Sequence, residues 1–304
     1  MNRESGQPLR FAPSAPADEP AALALLLAHL EPAARERTIA KLRSLPVDAL
    51  PGTVWAAYRG ERLVGALRAT AGAGRAALVT PPAIAPGEPE TTAGELLRHV
   101  LGALRGEGVE LVQAVLETDR RADIERLTAG GFRYVTDLLY LVSLAGTFPD
   151  APPAAHLEFE CYRASEHTRL VRIVERTYAG SLDCPALESA RSVEDVLAGY
   201  RASRAFDPKG WLLVKSAGQD VGCLLLADDA ALGQWELTYM GVVPEARGQG
   251  FGLAMTRHAQ WLARGAGRAR LVLAVDEANA PAKDAYAAAG FVAWDHRSVL
   301  VRTQ

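Results

Sequence analysis

The residues from Val242 to Gly252 (Val-Val-Pro-Glu-Ala-Arg-Gly-Gln-Gly-Phe-Gly) are built to hold an anion. Gly248, Gly250 and Gly252, at every second position, strip the loop of side chains, so main-chain N–H groups can approach a ligand closely. Before the loop, Glu236 to Val243 reads as a buried strand; after it, Phe251 to Arg264 places Phe251, Met255, His258, Ala259 and Leu262 at helical spacing. Such a helix adds unpaired N–H groups and the positive end of its dipole, an environment that suits a phosphate or pyrophosphate. Two commoner phosphate motifs fail here. A P-loop ends in Gly-Lys-Ser/Thr, and no lysine follows Gly252. A dinucleotide fingerprint needs Gly or Ala in its sixth position, which is Leu253 counting from Gly248 and Met255 counting from Gly250.

What does fit is Arg-x-x-Gly-x-Gly, carried by Arg247, Gly250 and Gly252 just after a strand ending in Val-Pro. Downstream, Ala269 to Asp276 reads as a short buried strand, and Asn279-Ala280-Pro281-Ala282 opens a helix with a good N-cap and a proline tolerated in its first turn. That helix stops at Gly290, and Phe291 to Val301 reads as a final strand. The loop resembles the coenzyme A loop of the GNAT N-acetyltransferase superfamily. The series Asn279, Ala282, Tyr286, Gly290-Phe291 resembles that family's Asn-x-x-Ala-x-x-x-Tyr-x-x-x-Gly-Phe ending. The resemblance implies acetyl-CoA as cofactor, its pyrophosphate held by Arg247 and the amides of Gly248, Gln249, Gly250, Phe251 and Gly252. It also implies that the strand through Met240, Gly241 and Val242 splays from Leu271 to Val275, pairs with the pantetheine arm and supplies an oxyanion donor. Asn279 would reach the pantetheine, although helix capping explains it equally well.

Acyl transfer to an amine needs a deprotonated nucleophile, and an alkylamine has a pKa of about 10.4, so a base or a water relay must take a proton. Glu236 shares a strand face with Thr238, Met240 and Val242 in a run otherwise free of charge. In the family a carboxylate at this strand often serves as that base; the plainer reading is an exposed carboxylate at a strand end. Tyr286 matches the tyrosine whose hydroxyl faces the coenzyme A sulfur as general acid, and the plainer reading is a core aromatic. A phenol of pKa about 10 is well matched to a leaving thiolate of about 8.5. Asp183, in the stretch Ser181 to Pro185 that usually shapes the family's acceptor pocket, could bind a cationic amine or simply cap. Cys184 has no paired histidine nearby in sequence, and His258 reads as a packing residue.

The whole chain must position these groups. With 304 residues the expectation is two domains, since single cores rarely outgrow about 250 residues. A hydrophobic content of 49% with 23% charged residues describes a soluble globular protein. The net charge of −3 gives no electrostatic case for nucleic acid or an anionic membrane. The N-terminus does not read as a signal peptide, and Cys161, Cys184 and Cys223 form no Cys-x-x-Cys pair; a reduced, cytoplasmic protein without a metal site is expected.

One offset then recurs. Arg98-His99, Gly106-x-Gly108 and Gly131-Phe132 each lie 159 residues before Arg257-His258, Gly265-x-Gly267 and Gly290-Phe291. Leu111 to Glu117 matches Leu271 to Glu277 at five of seven positions. The sequence therefore predicts one fold written twice: tandem GNAT-like domains of α+β class, each a mixed α/β sheet flanked by helices, at 1–146 and 157–304, joined by a Pro-rich linker at 147–156. In the first half the glycine loop becomes Pro86-Gly87-Glu88-Pro89-Glu90, with carboxylates and prolines where an anion would need N–H donors. Only the second half is expected to bind coenzyme A. The function expected from the resemblance is acetyl-CoA-dependent N-acetylation of a small-molecule amine by direct attack in a ternary complex. A mycothiol-synthase-like enzyme is a narrower version supported by the architecture alone, and a non-catalytic acyl-CoA sensor is the reading from a different class.

Overall fold

A computed structural model describes residues 7–44, 52–153, 156–187, 190–203 and 205–304. Residues 154 and 155 of the expected linker lie outside them. The chain forms two compact units, Met1–Tyr134 with Ser298–Gln304, and Val135–Arg297.

The first unit runs β1 (Leu9–Pro13), α1 (Glu19–Leu26), α2 (Pro32–Ser44), β2 (Thr53–Arg59), β3 (Arg62–Gly72), β4 (Ala76–Val79), β5 (Ala83–Ile84), α3 (Glu90–Gly106), β6 (Leu111–Glu117) and α4 (Arg121–Ala129). The second is built from β7 (Arg133–Leu144), β8 (Glu158–Cys161), α5 (His167–Tyr178), α6 (Val193–Arg201), β9 (Phe206–Ser216), β10 (Gln219–Asp229), β11 (Gln234–Val242), α7 (Phe251–Gly265), β12 (Arg270–Asp276), α8 (Ala280–Ala288) and β13 (Val292–Thr303), whose last residues belong to the first unit. A single strand over Ala76 to Ile84 does not form. Pro81 and Pro82 have no N–H to give a ladder, so β4 ends before them and β5 resumes against Gly65 and Ala66.

The duplication is visible in the pairing. In the first unit β1, β2, β3 and β4 pair antiparallel in turn, and Ala76–Leu78 of β4 then runs parallel to Leu111–Gln113 of β6. In the second, β8, β9, β10 and β11 do the same, and Gln234–Glu236 of β11 runs parallel to Arg270–Val272 of β12. The closing strands are exchanged. β7 completes the second unit's sheet against the full length of β12, and the Gln304 N–H at the chain's end donates to the Glu110 carbonyl of the first unit at 2.9 Å.

Helices cover both faces of the second unit's sheet, which is the mixed α/β architecture expected. β10 is buried on both sides, as a central strand must be. Leu224 and Leu226 face Met255, Ala259 and Ala263 of α7 and Tyr286 of α8, whereas Cys223 and Leu225 face Leu170, Ile173 and Val174 of α5 and Leu197 of α6. In the first unit Leu96, Leu97, Val100, Leu101 and Leu104 of α3 form the equivalent stripe. No helix among the described residues is long and apolar enough to cross a membrane.

Candidate active site

The site begins with an irregularity in β11. Glu236 and Leu237 oppose Ala227 and Leu226 of β10, but the next partner pair is Tyr239 with Leu225, so Thr238 is an extra residue and forms a bulge. The bulge reverses the alternation of side chains beyond it. Glu236 therefore shares its face with Tyr239 and Gly241, toward α5, and not with Met240 and Val242 as strict alternation predicts. Leu237, Met240 and Val242 pack on the α7 side. The parallel ladder with β12 also stops at Glu236 and Val272, although β12 continues beside β7 to Asp276. The main chain of β11 from Leu237 onward thus diverges from its neighbour.

A cleft of 630 Å³ opens at this divergence. Arg247, Gly248, Gly250, Phe251 and Gly252 of the glycine loop line it together with Met240, Val242, Asn279 and Tyr286, and Ser181, Asp183 and Tyr200 also face it. Gln249 lines an adjoining hollow with Gly250, Phe251 and Arg257. Gly248 and Gly250 both take φ of +77°, a backbone that bulky residues avoid, and Gly250 is the N-cap from which α7 starts. The turn aims bare N–H groups of α7 at the cleft mouth. Arg247 is already engaged: its Nε donates to the Val242 carbonyl (3.1 Å), and its terminal nitrogens donate to the carbonyls of Gly180 (3.0 Å) and Thr177 (2.9 Å). Its guanidinium thereby ties the end of α5 to the glycine loop.

Gly241 does not line the cleft. A Cβ there would lie 2.6 Å from Cβ and Oγ1 of Thr177, so glycine is what admits α5 to the strand. Thr177 Oγ1 donates to the Val174 carbonyl at 2.7 Å and lies 2.6 Å from the Tyr239 hydroxyl, fixing helix and strand together.

Tyr286 is 6% exposed, its ring packed 5.6 Å from that of Phe291, and its hydroxyl has no hydrogen-bond partner among the described residues. Burial, followed by the charge of Asp183, raises its pKa and keeps the phenol protonated. Glu236 is exposed and has neither a cation nor a hydrogen-bond donor among the described residues, yet its carboxyl pKa is raised, first by the surrounding protein and then by Asp229. Asn279 caps α8 through its side chain, which accepts from Ala282 N–H at 3.3 Å, while also facing the cleft.

Sequence reasoning passed over Asp276. This residue is 2% exposed at the end of β12, where Oδ1 accepts from Thr136 Oγ1 and Ala278 N–H (both 2.8 Å) and Oδ2 accepts from Cys184 N–H (3.0 Å). Its own N–H donates to Asp183 Oδ1 at 3.3 Å. Asp276 thus straps the Ser181–Pro185 loop to the sheet, and Cys184 takes a left-handed φ of +48° to make its contact. Burial and then the charges of Asp183 and Asp276 push the Cys184 thiol well above its ordinary range, leaving it a poor nucleophile.

Other groups have quieter roles. His258 stacks on Phe159 of β8 with ring centroids 3.6 Å apart, and burial lowers its pKa to about 4; His99 packs on Phe11 of β1, the corresponding strand. Asp137, Glu277 and His296 bring ligand-type atoms within 4.8 Å of one another, with His296 Nε2 at 3.3 Å from Glu277 and 3.7 Å from Asp137. In the first unit, the counterpart of the glycine loop is filled from within. Glu88, its side chain 3% exposed, is salt-bridged to Arg59 (2.9 Å) and Arg62 (2.6 Å), and Glu90 in the first turn of α3 pairs with Arg126 (2.8 Å).

Residues 169–291, which carry the glycine-capped helix and the divergence between two parallel strands, match the acetyltransferase (GNAT) family. A mycothiol acetyltransferase from Stackebrandtia nassauensis is 32% identical over 155 residues, covering 48% of this chain and 47% of that one, so the match spans about half the length of the curated relative. A crystal structure of a GCN5-related N-acetyltransferase from Sphaerobacter thermophilus superposes with a TM-score of 0.63 at 18% identity, over 98% of this chain and 96% of the other. A tandem GNAT protein from the clavulanic acid biosynthesis pathway, solved without AcCoA, gives a TM-score of 0.53 at 18% identity, over 97% and 98%.

Proposed function

We propose that the protein is an N-acetyltransferase that moves an acetyl group from acetyl-CoA to the amine of a small molecule by direct attack in a ternary complex, in its C-terminal half. The observation that carries this reading is the cleft itself: a bulged β11 diverging from β12, with the glycine-capped end of α7 at its mouth and Tyr286 in its wall. These parts fit coenzyme A. The N–H groups of the glycine turn and α7 suit a pyrophosphate, and the unpaired edge of β11 suits the amides of a pantetheine arm. Bound acetyl-CoA supplies an acetyl thioester, an electrophile that releases a thiolate.

The chain's residues do the rest. Glu236 accepts the proton of the attacking amine, directly or through water. Backbone N–H groups along Met240 to Val242 stabilise charge that develops on the carbonyl oxygen. Tyr286, held protonated by its burial, gives its proton to the departing sulfur. A base works only when unprotonated, so the raised pKa of Glu236 places the acid limb of kcat/KM above the usual carboxylate range. Activity should fall as pH drops through that value, and Glu236→Gln should remove the limb along with most of the rate.

A mycothiol acetyltransferase-like acceptor is a second reading, favoured by the match over 155 residues. In either case the N-terminal half, 1–146 before the linker, is proposed as a scaffold whose own cradle is occupied by the Glu88 carboxylate and its arginines. Calorimetry with coenzyme A tests that division: one site per chain, unaffected by Glu88→Ala and weakened by Arg247→Ala, is expected. Binding lost with Glu88→Ala and untouched by Arg247→Ala would place the cofactor in the other half.

A further inference from the structure

We propose that the acyl acceptor carries a second, cationic group besides the amine that is acetylated, and that Asp183 holds it. This rests on the acetyltransferase reading of the cleft and adds the class of substrate. Among the described residues that line the cleft only Arg247 and Asp183 are charged, and they belong to different loops. Arg247 belongs to the glycine loop, with its guanidinium spent on three carbonyls. Asp183 belongs to the strapped loop, where Oδ1 accepts the Asp276 N–H and no cation among the described residues pairs with the carboxylate. Its side chain opens to solvent through the cleft while protein surrounds it elsewhere, and that crowding raises its pKa.

Two carboxylates act on the tyrosines of the cleft wall: Asp183 lines the cleft, and Glu236 precedes the lining residues Leu237 and Thr238 on β11. Asp183 acts electrostatically on both Tyr286 and Tyr200, and Glu236 acts on Tyr200 as well. Tyr286, more than nine-tenths buried and with a hydroxyl that has no partner among the described residues, points independently to a ligand in the cleft. An acceptor with a single amine satisfies only one carboxylate. In the transfer the N–C bond forms, the C–S bond breaks, the amine's proton goes to Glu236 and the sulfur takes the proton of Tyr286. Glu236 ends neutral, but the charge of Asp183 persists throughout, in a site that bound cofactor and acceptor would close to water. A spectator ammonium or guanidinium on Asp183 answers that charge, neither gaining nor losing a proton. The strap through Asp276 and Cys184 fixes the carboxylate before the acceptor arrives.

The test is calorimetric titration of the full chain, saturated with coenzyme A, with 1,4-diaminobutane and with 1-aminobutane. The diamine should bind at least about tenfold more tightly, and Asp183→Asn should reduce that advantage to about twofold or less with coenzyme A affinity unchanged. Asparagine keeps an acceptor for the Asp276 N–H, so the strap survives the change. Equal affinities in the unaltered protein, or a diamine advantage that persists in Asp183→Asn, would overturn the proposal. So would a variant that binds both amines normally but loses kcat on both alike, which would make Asp183 the base. Asp183-dependent diamine binding with no thiol release from acetyl-CoA would leave the docking role standing and sink the transferase reading.

Discussion

Tyr286→Phe should lower kcat by about a hundredfold or more while leaving affinity for acetyl-CoA nearly unchanged, because a positioned general acid is worth about that much. The substitution removes one oxygen from a hydroxyl without a partner, so no buried donor or acceptor is orphaned and the packing against Phe291 is kept. Stability should therefore change little, which separates a chemical role from a core role. The raised pKa also fixes the sign of the pH effect: the phenol stays protonated across the neutral range, and loss of the acid should flatten any alkaline limb it contributes. A variant with full turnover and an unchanged pH profile would return Tyr286 to the core. Single-turnover release of thiol measures this without interference from product dissociation.

Gly250→Val should weaken coenzyme A binding by about a hundredfold or more. A β-branched residue at φ of +77° costs about 1–3 kcal/mol of local strain if the turn is kept. If the turn instead relaxes, the first N–H groups of α7 swing from the cleft mouth and the anion loses its donors. Space is not the obstacle, since a Cβ at Gly250 meets nothing within 4 Å, so the fold should survive with near-wild-type circular dichroism. Gly241→Val offers a contrast, because there the Cβ strikes Thr177 and the loss should appear first as stability. Unaltered coenzyme A affinity in Gly250→Val would mean that the turn does not form the anion cradle.

The elements and their repetition were legible because periodicity and spacing are local properties. The offset of 159 residues that relates Gly131-Phe132 to Gly290-Phe291 reappears as two sets of strands with the same order and the same short parallel pairing, Ala76–Leu78 with Leu111–Gln113 and Gln234–Glu236 with Arg270–Val272. What was not legible is non-local. The bulge at Thr238 leaves no composition signal, since a threonine in a β-branched, aromatic-rich run is an ordinary strand residue, and its effect on the facing of Glu236 follows only from the partner strand. The exchange of β7 and the end of β13 is similarly silent. Alternation states which face a strand buries, not which neighbour it pairs with. Asp276 looked like the polar end of an apolar run, yet its four hydrogen bonds reach Thr136, Cys184, Ala278 and Asp183, residues up to 140 positions away in sequence.

The chemistry of the site turns on whether anion cradle, carboxylate and phenol work on one substrate pair. The most direct measurement is release of free coenzyme A thiol from acetyl-CoA across a panel of small amines, with the acetylated product identified in parallel. The expected result is thiol release that depends on the acceptor, saturates, matches the acetylated amine mole for mole and collapses in Tyr286→Phe. Saturable acetyl-CoA binding with no acceptor-dependent thiol would contradict it, leaving a cleft that holds its ligand without performing chemistry.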